Sequence, residues 1–474
     1  MPAIQPTINW RGIAPRIIRN RNALISSTAV LFGLCCSLLA QPVHAAPRQT
    51  LHGNFVREVA GIHPVDRLPA SQSMDLAICL PLRDKMELTN LLREIYDPAN
   101  PNYQQFLTSE QFTGRFGPTE SDYEAVMSFA RANGFTVTDT SANRAVIDVR
   151  GSVADIERTF HVNMRVYPHP TEPRTFHAAD AEPSLDLAVP VQEICGLDDF
   201  MPPRPMNLVR RKGDGSGVKS FTNGSGQGGD YLGFDFRAAY APGVTLTGVG
   251  QTIGLFELGE YFTNDIILYK QTAGLPNITV TNVLLDGLTG IPAPGTDDGE
   301  ETLDIDMAMC MAPGATIIVY EGTSMIDILN RMASDNKAKQ MSCSFGVYPP
   351  PSTMDNVFMQ FAAQGQNFFV AAGDGGAYNS SQTIFAPADD PNIVSVGGTS
   401  LTTSGPRGTW VSETTWIGSG GGITPHYSIP SYQVGMNMST NHGSTSQRNF
   451  PDVSILADTV IFWYLKNGQS GTVG

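Results

Sequence analysis

The sequence predicts an α/β protein: a doubly wound, mostly parallel sheet with helices on both faces, preceded by a smaller α+β domain. Three observations carry that reading. Beyond residue 230, short apolar runs alternate with helical stretches, the pattern of strands joined by crossover helices. Before residue 200 both kinds of segment occur without that alternation. Between them, Met201–Gly229 shifts to Pro, Gly, Ser and basic residues, including Arg210, Arg211 and Lys212. Such a stretch has no period and little to bury, so it reads as a linker that a protease could reach.

With 474 residues, 41% hydrophobic and 16% charged, the chain has material for two or three cored domains. A net charge of −15 without a basic patch argues against nucleic acid as a partner. It suits an acidic medium, where protonation relieves self-repulsion. Arg11, Arg16, Arg19 and Arg21 precede an uncharged run from Ala23 to Ala40, and Val43-His44-Ala45 fits a small-x-small cleavage site. Residues 1–45 therefore read as an export signal and the protein as secreted, extracellular or periplasmic. Cleavage there removes four Arg and no acids and takes the charge from −15 to −19. No later segment is apolar enough to span a membrane. Cys35 and Cys36 leave with the signal, while Cys79, Cys195, Cys310 and Cys343 have no metal-like spacing and read as buried small hydrophobes. Asn223, Asn277, Asn379 and Asn437 open Asn-x-Ser/Thr triplets, which matter only in a eukaryotic secretory host.

The first domain, residues 46–200, takes its elements in order. Leu88, Leu91, Leu92 and Ile95 share one face of a helix over Met86–Tyr96. Thr119 and Asp122 resemble a capping box, with Val126, Met127 and Ala130 following and Gly134 as the stop. Ala145–Val149 is a strand, Ser152 caps a short helix through Phe160, and the domain ends near Val191–Leu197. In the second domain, residues 230–474, strands are expected at Gln251–Phe256, Thr316–Tyr320, Gln340–Ser344, Phe368–Ala372 and Ile393–Val396. Helices are expected near Ser324–Ala338 and Met354–Gln364.

The most informative stretch is Gly299-Glu300-Glu301-Thr302-Leu303-Asp304-Ile305-Asp306, running on to Ala312-Pro313-Gly314. On a helix, Glu300 and Asp304 share one face a turn apart, with Leu303, Met307, Cys310 and Met311 as the apolar stripe. Paired acids at the front of a buried helix are what a general base and its orienting partner look like, although an acidic first turn is also favoured by the helix dipole alone. Glu301 and Asp306 read as accessory or solvated. Gly373-Asp374-Gly375-Gly376 leaves the Phe368 strand at its carboxyl end, where working residues sit in parallel sheets. Only His426 and His442 follow the linker, both late, and His442 reads as a loop residue, which counts against a Ser-His-Asp arrangement.

In order, these pieces resemble the sedolisin family of serine-carboxyl peptidases. Pro101–Thr108, Gln111-Phe112 and Arg115–Pro118 are similar to the family's pro-kumamolisin-type activation domain. Gly299-Glu300, Leu303-Asp304 and Ala312–Ala315 resemble its catalytic helix. Ala371–Asp374 resembles the oxyanion segment, Gly420–Gly422 a glycine turn, and Arg448–Val453 the start of a later strand.

The resemblance implies a subtilisin-like sheet behind a ferredoxin-like pro-domain that acts as intramolecular chaperone and inhibitor until the linker, residues 201–229, is cut. It implies protein or peptide substrates, Glu300 as general base, Asp304 as its partner and Asp374 as the oxyanion acid. The chemistry suits acid. A Glu with a pKa near ~4.3 can still accept a serine proton where histidine is already charged. A second carboxyl one turn away can share a proton with it, and a protonated Asp can donate to an oxyanion.

One part of the family pattern is not found. The Gly-Thr-Ser that carries the nucleophile follows a hairpin, here Phe462–Leu465, Asn467-Gly468 and Gly471–Gly474, and the expected serine falls just past Gly474. Ser470 stands on the wrong side of that turn without Gly-Thr before it. The chain as given is expected to be C-terminally truncated, hydrolytically inactive and without a cofactor. The buried helix and the C-terminal calcium site of full-length relatives are expected to be missing. The alternative is a non-catalytic peptide-binding pseudopeptidase. A carbohydrate hydrolase is disfavoured, since acids on adjacent helical turns leave no room for substrate and water between them.

Overall fold

Leu255 and Phe256 are consecutive strand residues whose side chains leave opposite faces, yet both are buried. That requires cover on both sides of the sheet, and the computed structural model supplies it. It describes residues 48–206, 210–211, 223–348, 350–378, 384–458 and 461–473. The expected export signal with Cys35 and Cys36, most of the linker including Lys212, and Asn379 lie outside the described residues.

The first part contains β1 (Ser73–Cys79), α1 (Lys85–Ile95), α2 (Ser109–Phe116), α3 (Glu120–Ala132), β2 (Thr136–Thr140), β3 (Val146–Ser152), α4 (Val153–Phe160) and β4 (Glu193–Cys195). Its strands pair antiparallel in the order β2-β3-β1-β4, the arrangement of a ferredoxin-like domain. The caps read from the sequence are in place. Thr119 Oγ1 accepts from the Asp122 amide at 3.1 Å and Ser152 Oγ from the Asp155 amide at 3.2 Å. Ile78, Val126, Ile147, Ile156 and Phe160 form the core.

A short strand β5 (Arg204–Pro205) departs from the expectation of a free linker, because it is paired and the next residue, Met206, is buried. The second part then runs β6 (Thr252–Glu257), α5 (Thr263–Ala273), β7 (Val280–Leu284), α6 (Gly299–Met311), β8 (Thr316–Glu321), α7 (Met325–Asp335) and β9 (Gln340–Cys343). It continues with β10 (Phe345–Gly346), α8 (Met354–Ala363), β11 (Asn367–Ala371), β12 (Val394–Thr403), β13 (Trp410–Thr415), β14 (Val453–Leu456), β15 (Ile461–Leu465) and β16 (Gln469–Val473).

The large sheet has the order β7-β8-β6-β9-β11-β12-β13, with β14 also on β12, and only β13 runs antiparallel. Helices α5 and α6 cover one face through Ile266, Tyr269, Ile305 and Met309. Helices α7 and α8 cover the other through Leu329, Met332, Phe358 and Phe361. The sheet is therefore doubly wound, as the alternation of segments predicts.

Apolar and polar contacts join the parts. Ala77, Cys79 and Val146 share an apolar cluster with α7 and α8. Glu193 accepts from the Thr353 amide at 3.0 Å, from Thr353 Oγ1 at 3.1 Å and from Ser352 Oγ at 3.1 Å, just before α8 begins. Asn143 Nδ2 donates to Asn330 Oδ1 at 2.7 Å and to Gln360 Oε1 at 2.9 Å.

The β15–β16 hairpin is held by two acids. Asp265 accepts from the amides of Asn467 and Gly468 at 2.8 and 2.5 Å. Asp298 accepts from those of Phe262 and Lys466 at 2.9 and 2.7 Å, which is why it does not cap its own helix α6. Removing the fully buried Asp298 side chain strands two amides. Asp298→Ala is expected to cost about 2–4 kcal/mol, read from urea or thermal unfolding.

Candidate active site

Helix α6 is buried almost all round. The apolar stripe expected from Leu303, Met307, Cys310 and Met311 is corrected by the structure: Ile305, Met309 and Cys310 lie in the core, and Leu303, Met307 and Met311 only flank it. Glu301 and Asp306 are corrected too. Neither is solvated; they are 7% and 0% exposed, since sheet, hairpin and α5 leave this helix no wet face.

Glu300 is 8% exposed and Asp304 partly covered, both on the side of α6 toward the carboxyl ends of β9 and β11. Burial first, then the neighbouring Asp304, Glu301 and Asp374, push the Glu300 carboxyl well above its ordinary range. Burial also raises Asp304, while the Ser344 hydroxyl opposes the rise by donating to Oδ1 at 2.8 Å and Oδ2 at 2.9 Å. Such a pair shares a proton instead of ionising twice.

Asp374 leaves β11 through Gly373, whose φ of 104° lies in the region that favours glycine. The loop is backed by Gly420, where a Cβ would sit 2.0 Å from the Ala372 carbonyl oxygen. Burial pushes the Asp374 carboxyl up to about 7, so it is protonated in acid. Glu300, Asp304 and Asp374, expected from two separate stretches of sequence, are thus brought together. Among the described residues no imidazole joins them: His426 bonds Asp389 at 2.8 Å, and His442 lies exposed in a turn with φ of 58°.

Two residues near this group escape a motif search. Ser344 follows β9, and Glu257 ends β6 with both carboxylate oxygens buried and without a hydrogen-bond partner among the described residues. Burial, then Asp304, Glu301 and Glu300, push Glu257 well above its ordinary range. The available signal is positional, a polar residue directly after an apolar strand at the carboxyl edge of a parallel sheet. Among the described residues no group of three or more His, Cys, Asp or Glu is placed to hold a metal ion, so no residue is assigned to calcium. Cys79, Cys195, Cys310 and Cys343 are free; three are buried and Cys195 is partly so.

Comparison with known proteins bears directly on this arrangement. Residues 60–200 match the family model for the pro-kumamolisin activation domain. Sedolisin from Pseudomonas sp. (strain 101) is 27% identical over 438 residues, 84% of this chain and 72% of that protein. Kumamolisin from Bacillus sp. (strain MN-32) is 28% identical over 459 residues, 90% of this chain and 82% of its own length. The chain is thus similar to sedolisin-family proteins over most of its length. The part matched by the activation-domain model precedes a stretch similar to these peptidases. A solved structure of Pseudomonas sedolisin, a serine-carboxyl proteinase complexed with pseudo-iodotyrostatin, has a TM-score of 0.44 at 24% identity, covering 51% of this chain and 74% of that one. No helix among the described residues is long and apolar enough to cross a membrane.

The acid cluster makes stability depend on pH in a definite sense. Asp374 (about 7) and Glu301 (about 8) hold protons in the fold that the unfolded chain loses near pH ~4. Their contribution is complete below pH ~4 and is lost as pH rises through 7 to 8. The melting temperature is expected to fall between pH 4 and pH 8. Glu301→Gln, neutral throughout, should melt about 3–8 °C above wild type at pH 8 and close to it at pH 4.

Proposed function

We propose that this protein is a secreted, acid-acting serine-type endopeptidase made as a zymogen. Glu300 takes the proton of a serine hydroxyl, Asp304 holds Glu300 in place and shares its proton, and protonated Asp374 donates to the oxyanion. The observation that carries this reading is the convergence of Glu300, Asp304 and Asp374 at the carboxyl edge of a parallel sheet, with burial keeping Asp374 protonated in acid and favouring one shared proton on the Glu300–Asp304 pair. Asp304 and Asp374, each raised to about 7, would be mostly ionised near pH 8. The activation domain docks on α7 and α8, which suits an intramolecular inhibitor and folding chaperone.

The nucleophile is not assigned to any residue of 1–474. Ser344 already donates to both oxygens of Asp304, where it acts as a positioning residue. Ser470 lies in the hairpin opposite Tyr464. A polypeptide of residues 1–474 alone is therefore proposed to be hydrolytically inactive, and the peptide-binding pseudopeptidase is the reading that survives if no added serine restores turnover.

Residues 1–474 should release no peptides from a protein substrate between about pH 3 and 5. Turnover there would move the nucleophile to Ser344 or Ser470. In a polypeptide extended past residue 474 by the family's Gly-Thr-Ser segment and its helix, Glu300→Ala or Asp304→Ala should slow self-processing by ~10²–10⁴-fold. Asp374→Asn should keep part of the activity, because an amide still donates, while Asp374→Ala loses ~10²–10³-fold. Normal processing in the Glu300 variant would sink the proposed base.

A further inference from the structure

Two cysteines meet on the face of the activation domain that docks. In the antiparallel pairing of β1 with β4, Ala77 stands opposite Cys195 and Cys79 opposite Glu193. Residues two apart on a strand share a face, so Cys79 and Cys195 mark the ends of one diagonal on that face. The right-handed twist of a sheet shortens one of its two diagonals. Here the two side chains lie within hydrogen-bonding reach of each other. Cys310 and Cys343 are held apart, because α6 packs its cysteine on one face of the large sheet and β9 turns its own to the other. Cys310 Sγ contacts Tyr269 Oη at 3.2 Å, and Cys343 Sγ accepts from the Phe345 amide at 3.4 Å.

Strand β4 is three residues long and stands at the edge of its sheet, with β1 as its partner. It nonetheless carries Glu193, which takes the hydrogen bonds of Ser352 and Thr353 that dock the domain before α8. So short an edge strand is weakly held by its own backbone bonds. The thiol face it shares with β1 is covered by α7 and α8 through the cluster that contains Ala77, Cys79 and Val146.

We propose that Cys79 and Cys195 form a disulfide that fastens β4 to β1, made while the chain folds and sealed when the activation domain docks. Neither thiol takes part in the peptidase reading above. The oxidant is a disulfide donor of the oxidised-glutathione class. One cysteine thiolate attacks a donor sulfur and expels a thiolate, and the other then attacks the mixed disulfide and expels the second. The two thiols lose two protons and two electrons, and the donor disulfide is reduced to two thiols.

The order of events follows from the surroundings. In the docked fold, contact with Cys79 and then burial push the Cys195 thiol well up. Contact with Cys195 pulls the Cys79 thiol the other way, and burial raises it overall. Little thiolate is then available for exchange. Before docking, α7 and α8 do not cover that face. The bond closes a ring from residue 79 to residue 195, and closure of a long ring restricts the unfolded chain most.

The test is peptide mapping of the full chain, folded once with dithiothreitol and once with reduced and oxidised glutathione, then unfolded and blocked with N-ethylmaleimide. A peptide pair joined through Cys79 and Cys195 is expected from the glutathione sample alone, with maleimide on Cys310 and Cys343 in both. Maleimide on both Cys79 and Cys195 after glutathione overturns the proposal, as does a bond from either to Cys310 or Cys343. In Cys79→Ala, Cys195 should carry maleimide or glutathione, and a bond to another cysteine of the chain counts against the assigned pair.

Two rates test the rest. The β4 amides should exchange hydrogen at least ~10-fold more slowly in the oxidised chain than in the reduced one. Equal exchange would show that the bond does not fasten the strand. Reduced chain that has already folded should gain the bond at least ~10-fold more slowly than chain that is folding with the same donor. Equal rates would overturn the sealing by docking.

Discussion

Folding the Gly299–Met311 helix takes Glu300, Glu301 and Asp306 out of water together, with Asp304 partly covered beside them and Glu257 facing them from the sheet. An ionised carboxylate in such surroundings costs far more than the fold can supply, so these groups hold protons or share them. Much of the centre answers that constraint. The Ser344 hydroxyl is turned onto Asp304, and the Asp298 carboxylate is given to backbone amides of two separate segments. A core built this way is suited to acid, in agreement with the proposed chemistry.

The sheet topology explains why the cluster forms where it does. Helices α6 and α7 lie on opposite faces although they flank the same strand, β8, and chain direction places the ends of β6, β9 and β11 along one edge. At such an edge strands end in loops whose polar residues point into a shared crevice. Glu257, Ser344 and Asp374 come from three such ends, and Glu300 and Asp304 reach them from the helix. No single segment could assemble this group alone.

The activation domain uses the same crevice differently. Its sheet packs on α7 and α8 through apolar residues, and polar contacts from Glu193 and Asn143 fix the register of docking. From that anchor the chain has only a few residues in which to reach the cleft, so Arg204–Met206 arrives extended and in line with the sheet edge. A docked domain and a filled cleft together exclude other peptides, which is the physical content of an inhibitor carried on the same chain.

Much of this was legible in the residues. Apolar runs with turn signals located β6, β8, β9 and β11, caps at Thr119 and Ser152 located two helix starts, and the Glu300/Asp304 spacing singled out α6. Local signals of this kind depend only on neighbours in the chain. They misjudged Glu301 and Asp306, because an acid is normally solvated and only packing by distant elements reveals otherwise. They missed Ser344 and Glu257, and they read Met201–Met206 as free linker, since its Pro-rich composition carries no period. The sequence by itself determined element types, their order and which acids stand one turn apart. Only the tertiary structure decided which carboxyls share a dry crevice and what fills the cleft beside them, because desolvation and strand-edge pairing depend on segments more than a hundred residues apart.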